Sequence, residues 1–273
     1  MTTPLTGTLT ALRPRACLPP LWRELPAVLS TTTARSVTQA PRSAGAGGPV
    51  LLIPGWLSGD LTLARLEHHL RAAGHATARS GITCNVDCSE AAVTRLVARV
   101  AALADARGER VALVGHSRGG LFARVIAVRR PDLVGGVVTL GAPHRDQLAL
   151  HPLLWAQALA VALLGSAGVS GLARTQCAAG PCCSAFRDDL VAAWPAAVGR
   201  LSIYSRRDGV VDWRACLDGD GRHAEVHAAH CAMVLDPAVW RLVDATLRGF
   251  GPAPVRCPRP TARAVAGILA DAA

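Results

Sequence analysis

Apolar residues recur along this chain with two alternating spacings. Short strand-like runs at 49–53, 76–80, 111–115, 134–140, 200–205 and 223–227 alternate with longer stretches that bring apolar residues back every three or four positions. The runs predict strands and the longer stretches predict helices. One helix is expected over 60–73, stopped by Gly74, and another over 88–106, with Val93, Leu96, Val97, Val100 and Leu103 on one face. Asp87 and Glu90 have the spacing of a capping box at its start. A third is expected over LFARVIAVRR, where Leu121, Val125 and Val128 share a face until Pro131 ends it. Strands and helices in this alternation imply right-handed crossovers and a parallel sheet, hence the α/β class.

The third strand runs directly into Gly115-His116-Ser117-Arg118-Gly119, and a helix follows at once. A serine in G-x-S-x-G between strand and helix is the pattern of a nucleophile elbow, a strained turn that lifts the hydroxyl above the sheet where the glycines leave room. Ser117 is the candidate nucleophile. Asp208 follows the strand in RLSIYSRRDGVVDW, and His230 follows the strand-like run in HAEVHAAHCAMVLDP. Each stands at the strand end where open α/β sheets place their ligands. The chain order is nucleophile, acid, base.

These residues give the chain a resemblance to the α/β-hydrolases of the lipase and esterase type, running from about Pro49 to Leu247. It is carried by LLIPGW at 51–56, GHSRGG at 115–120, TLGAPH at 139–144, the aspartate in YSRRDGVVD and the histidine in HAAHCAMVLDP. One departure is Pro54-Gly55, where lipases usually carry His-Gly. The resemblance implies a twisted, mostly parallel sheet with helices on both faces, a cap or lid insertion, no cofactor, and ester hydrolysis through an acyl-enzyme. It also implies an oxyanion hole made by the backbone amides of Trp56 and Arg118.

In this scheme His230 takes the proton of Ser117, and Asp208 holds the imidazole in the useful tautomer. Asp212 is the competing acid; Asp208 is favoured because it sits in the Asp-Gly turn straight after the strand. His223 and His227 compete with His230, which is favoured because a helix-like stretch, MVLDPAVWRLVDATL, follows it. Three neighbouring histidines suggest zinc, but no fourth ligand accompanies them, so no metal is expected. His144 is expected to support the site rather than react. The same residues would serve an acyltransferase or thioesterase, and a non-catalytic binding protein on this fold is a third alternative.

The insertion at about 145–198 opens with HPLLWAQALAVALLGSAGVSGLA, long and almost uncharged. Gly165, Ser166, Gly168, Ser170 and Gly171 cut its helical run to about a dozen residues, short of the roughly 20 that cross a bilayer. A buried cap helix and a mobile lid remain open. The organisation expected is a partly flexible N-terminal extension over 1–48, the hydrolase domain over 49–250 and a tail over 251–273. A short helix is expected around Leu21 to Leu29. The start lacks the features of a secretory leader, so a cytoplasmic location is expected.

Composition changes this picture little. The net charge of +10 comes from 29 basic residues, all of them arginine and dispersed, with 4% aromatics to stack on bases. No nucleic-acid partner is expected, while peripheral contact with anionic lipid surfaces is compatible with the charge. The substrate expected is a small-molecule or lipid ester. Of nine cysteines, Cys177, Cys182 and Cys183 cluster, Cys84 and Cys88 are four apart, and Cys17, Cys216, Cys231 and Cys257 are scattered. The cluster suits a disulfide within the cap or reduced thiols, with metal binding a weaker third reading.

Overall fold

The computed structural model describes residues 21–26 and 47–251. The rest of the N-terminal extension and the C-terminal tail, with Cys17 and Cys257, lie outside the described residues. The elements are β1 (Gly47–Ile53), α1 (Ala64–Ala72), β2 (His75–Arg79), α2 (Ser89–Arg107), β3 (Val111–His116), α3 (Arg118–Arg129), β4 (Val134–Leu140), α4 (Pro152–Ser166), α5 (Gln176–Ala179), α6 (Ser184–Val191), β5 (Gly199–Tyr204), β6 (Arg222–Glu225) and α7 (Pro237–Phe250). The strands form one sheet in the order β2-β1-β3-β4-β5-β6. Every pairing is parallel.

The doubly apolar strand runs find their reason in two cores. Leu51, Ile53, Leu113 and Val137 point to one face, where α2, α3 and α6 bring Val93, Leu96, Phe122, Ile126 and Phe186. Their neighbours Val50, Leu52, Val114 and Val138 point to the other, under Leu66 and Leu70 of α1 and Trp240, Val243 and Leu247 of α7. Parallel strands covered on both faces carry apolar residues at successive positions. The winding reverses between β1 and β3, so the crevice beyond their carboxyl ends is the topological switch point where such sheets bind ligands.

Several expectations need correction. The segment 60–73 is not one helix: Asp60–Leu63 is a 3₁₀ turn before α1. The carboxylate of Asp60 is taken by Ser80 and Gly81, whose bonds also end β2 at Arg79. The capping box is absent, because Cys88 is the N-cap of α2, Asp87 pairs with Arg95 and Glu90 pairs with Arg129. After β6 the chain turns through 230–235, and α7 starts only at Pro237, capped by Asp236. The helix expected around Leu21 to Leu29 begins as a 3₁₀ turn, Leu21–Glu24, and is helical through residue 26, and the remainder of that range lies outside the described residues.

The insertion is helical, but α4 is not buried: of its fifteen residues only Gly165 is. No helix among the described residues is long and apolar enough to cross a membrane.

Candidate active site

The turn between β3 and α3 holds Ser117 at φ +51° and ψ −121°, a conformation that side chains beyond glycine rarely adopt. Its amide donates to the Leu140 carbonyl at 2.8 Å, tying the turn to the end of β4. The surroundings leave little alternative: a Cβ on Gly119 would lie 2.3 Å from the Ile53 carbonyl oxygen. The elbow is therefore over-determined by packing, the condition under which local strain persists at functional sites.

Asp208 and His230, expected as acid and base, are brought together. His230 Nδ1 donates to Asp208 Oδ2 at 2.6 Å, and Asp208 Oδ1 accepts the amides of Val210 and Val211 at 2.8 and 2.7 Å. Both side chains are buried. This bond assigns the proton of neutral His230 to Nδ1 and leaves Nε2 to act as base. Ser117 reaches the pair through its neighbour: the His116 ring packs 4.8 Å from that of His230. His116 Nε2 lies 3.1 Å from the His230 carbonyl, which can only accept, so His116 carries its proton there. Among the described residues Ser117 and His230 share no hydrogen bond, as is common where the reacting geometry tightens around substrate.

Burial works against the charged form of His230, but the charge and hydrogen bond of Asp208 and the charge of Glu24 outweigh it, and its pKa stands above the ordinary 6.5. Burial, reinforced by the charge of His230, lowers His116 to about 3, so it is neutral at working pH.

Sequence reasoning missed Glu24. This buried carboxylate accepts from the amides of Gly209 and His230, both at 3.0 Å, and of Cys231 at 2.8 Å. It fastens the acid loop to the base loop, with Leu21 packed beside Val210 and Val211. Glu24→Gln should lower kcat/KM by about tenfold, since a bond to a charged group contributes roughly 1.5–3 kcal/mol. The acid limb of its pH profile should also move. In the wild type kcat/KM should fall, as pH is lowered, with a midpoint above 6.5 where His230 protonates. Without the Glu24 charge that midpoint drops, whereas a purely structural defect would lower the curve and leave its midpoint alone.

The predicted oxyanion loop lies over the elbow, since a Cβ on Gly55 would come within 3.1 Å of the Ser117 Cβ. Trp56 is the next residue. Arg118 opens α3, so its amide has no acceptor within the helix. Two further residues hold this loop, and the motifs gave no sign of the first. Asn85, fully buried, donates from Nδ2 to the Pro54 carbonyl at 2.8 Å, and its own carbonyl accepts from Leu57 at 3.3 Å. The Arg118 guanidinium binds Asn85 Oδ1 at 2.5 Å and the Asp87 carbonyl at 2.6 Å, and it stacks 5.1 Å from the Trp56 ring. Burial lowers its pKa to about 10, which keeps it charged at neutral pH.

The competing residues are engaged elsewhere. Asp212 caps the 3₁₀ turn Trp213–Cys216 through the Arg214 amide. His223 accepts the Asp218 amide at 2.8 Å, and His227 is exposed. His144 bonds Thr139 Oγ1 at 3.0 Å, and burial lowers its pKa to about 4.

With this geometry in place, comparison with known proteins becomes informative. A family model described as a PGAP1-like alpha/beta domain matches residues 88–154, a span that includes Ser117 and ends before Asp208 and His230. A stretch of 43 residues is 49% identical to triacylglycerol lipases of Pseudarthrobacter phenanthrenivorans and Burkholderia plantarii. That stretch is 16% of this chain and only 14% and 12% of those relatives' lengths. Among solved structures, a mature lipase of Bacillus licheniformis superposes with a TM-score of 0.58 at 14% identity, over 76% of this chain and 95% of that one. A soluble variant of the monoglyceride lipase of Saccharomyces cerevisiae gives 0.54 at 16% identity, over 78% and 89%. Methylketone synthase I of tomato gives 0.52 at 11% identity, over 76% and 100%. The chain has the α/β-hydrolase fold. Within that fold it is similar to triacylglycerol lipases over a short stretch of sequence, and to lipases and esterases in shape over three quarters of its length.

Proposed function

We propose that this chain hydrolyses carboxylic esters by a Ser117-His230-Asp208 triad through an acyl-enzyme. The observation that carries the proposal is the 2.6 Å bond from His230 to buried Asp208, beside a serine held in the left-handed turn of the elbow. His230 Nε2 takes the Ser117 proton as Oγ attacks the ester carbonyl, and the amides of Trp56 and Arg118 receive the developing oxyanion. The proton then passes to the leaving alcohol, and water, activated by the same histidine, releases the acid.

The substrate we infer is a lipid ester met at an apolar surface. Helix α4 carries no charge, and its Leu153, Trp155, Leu159, Leu163 and Leu164 are exposed. Its base is tied to the acid loop, where His151 donates to the Val210 carbonyl at 2.8 Å and Asp212 to that of Ala149 at 2.9 Å. An apolar patch whose base is tied to the loop that carries Asp208 suits a lipid interface. The tomato methylketone synthase on the same fold is a reminder that architecture alone does not choose a reaction.

The test is a series of nitrophenyl esters from acetyl to palmitoyl, assayed in solution and in micelles. Turnover favouring longer chains and micellar substrate supports the lipid reading. An optimum at acetyl would point to a short-chain esterase, and turnover that appears only with an added alcohol acceptor would replace hydrolysis by acyl transfer.

A further inference from the structure

Four thiols converge near the Arg118 guanidinium. The sulfurs of Cys88, Cys177, Cys182 and Cys183 all lie within 4.8 Å of one another. Cys88 and Cys183 are 3.4 Å apart, Cys177 and Cys182 3.6 Å, and Cys182 and Cys183 3.8 Å. Four thiolates around one zinc, each at about 2.3 Å in a tetrahedron, stand about 3.8 Å from one another. Two disulfides would join the sulfurs in pairs at about 2.05 Å and need no common centre. Here Cys182 is in contact with both Cys177 and Cys183.

We propose that these four cysteines are a structural tetrathiolate site for one zinc ion, which fastens the cap to the body of the molecule. The ligands come from two stretches of chain far apart in sequence: Cys88, the residue before α2, and Cys177, Cys182 and Cys183, from α5 and the 3₁₀ turn Pro181–Cys183 that follows it. Zinc would replace four thiol protons and leave a net charge of −2 on the centre.

The surroundings suit that charge. Cys88 caps the positive end of the nineteen-residue α2, and the amides of Glu90 and Ala91 face its sulfur. The Arg174 amide donates to Cys177 at 3.4 Å. The buried Arg118 cation lies close enough to feel Cys88, Cys177 and Cys183. Backbone donors and a nearby cation are what metal thiolates take as outer partners. Arg187 closes the turn between the cap ligands by donating to the Gly180 carbonyl at 2.8 Å. Cys183 is buried and Cys182 exposed, which gives the ion a way in.

The site also borders the loop that holds the oxyanion amides. Asp87 and Ser89, either side of Cys88, both accept from Arg118, which grips Asn85. Anchoring Cys88 therefore steadies that grip, although the metal reading stands on the sulfurs alone and does not depend on ester chemistry.

The experiment measures zinc per chain in full-length protein purified with reductant and passed through a weak chelator. One zinc per chain is expected, lost in Cys88→Ser and Cys183→Ser and kept in Cys84→Ser, whose thiol lies outside the cluster. Should the cluster variants fail to fold, stripped wild-type protein titrated with cobalt gives an independent answer. Intense visible bands of tetrahedral cobalt thiolate, saturating at one equivalent, are expected. A cobalt titration without those bands, or intact-mass and peptide mapping that finds Cys88–Cys183 and Cys177–Cys182 disulfides in protein made without reductant, would overturn the proposal.

Discussion

Ser117→Ala is expected to cut ester turnover by about four to six orders of magnitude while leaving the fold intact. Substituting alanine removes only a hydroxyl that has no hydrogen-bond partner among the described residues, so circular dichroism and melting should change little. The strained backbone is held by Leu140 and by the close pack of Gly119 against β1, and neither contact involves the hydroxyl. His230→Ala should cost a similar factor, and the double variant should be little worse than either single one, because both residues serve one proton-transfer step. Losses that multiply in the double variant would mean that Ser117 and His230 act separately, and the triad would have to be abandoned.

The second large effect separates two aspartates. Asp208→Asn should lower kcat by roughly 10⁴, because an amide at that position can present its N–H₂ to His230 and force the wrong tautomer. Asp212→Asn should leave kcat within about twofold, since its carboxylate caps a 3₁₀ turn and asparagine caps about as well as aspartate. Steady-state kinetics on one ester decides between them. A large loss in the Asp212 variant with a mild one in Asp208 would reverse the assignment.

The sequence disclosed the fold because doubly covered parallel strands leave continuous apolar runs, and all six runs are strands in the sheet. Ser117, Asp208 and His230 were legible for a related reason: each follows such a run, where a turn residue stands out. Boundaries failed where a polar side chain had a distant partner. Asp60 ends β2 from twenty residues away, and Asp87, read as a cap, serves Arg95 instead. The supporting residues have no local signature at all. Asn85 acts on Pro54, 31 residues upstream, and the bond from Glu24 to His230 spans 206 positions. Cys88 stands four residues from Cys84 in the sequence, whereas folding takes it to Cys183, 95 residues on. The apolar stretch of α4 was readable as a helix, but its exposure was not, since a helix apolar all round carries no sign of which face meets the body.

Glu24 also separates two boundaries that are easily taken for one. A fragment starting at Gly47 keeps the whole sheet, the elbow, the acid and the base, and would be recognised as a complete hydrolase. It would also leave the inward-facing amides of Gly209, His230 and Cys231 without their acceptor, at about 1–3 kcal/mol for each one that stays dry. The shortest fragment that keeps every hydrogen bond around the proposed acid and base thus begins more than twenty residues before the shortest one that keeps the sheet.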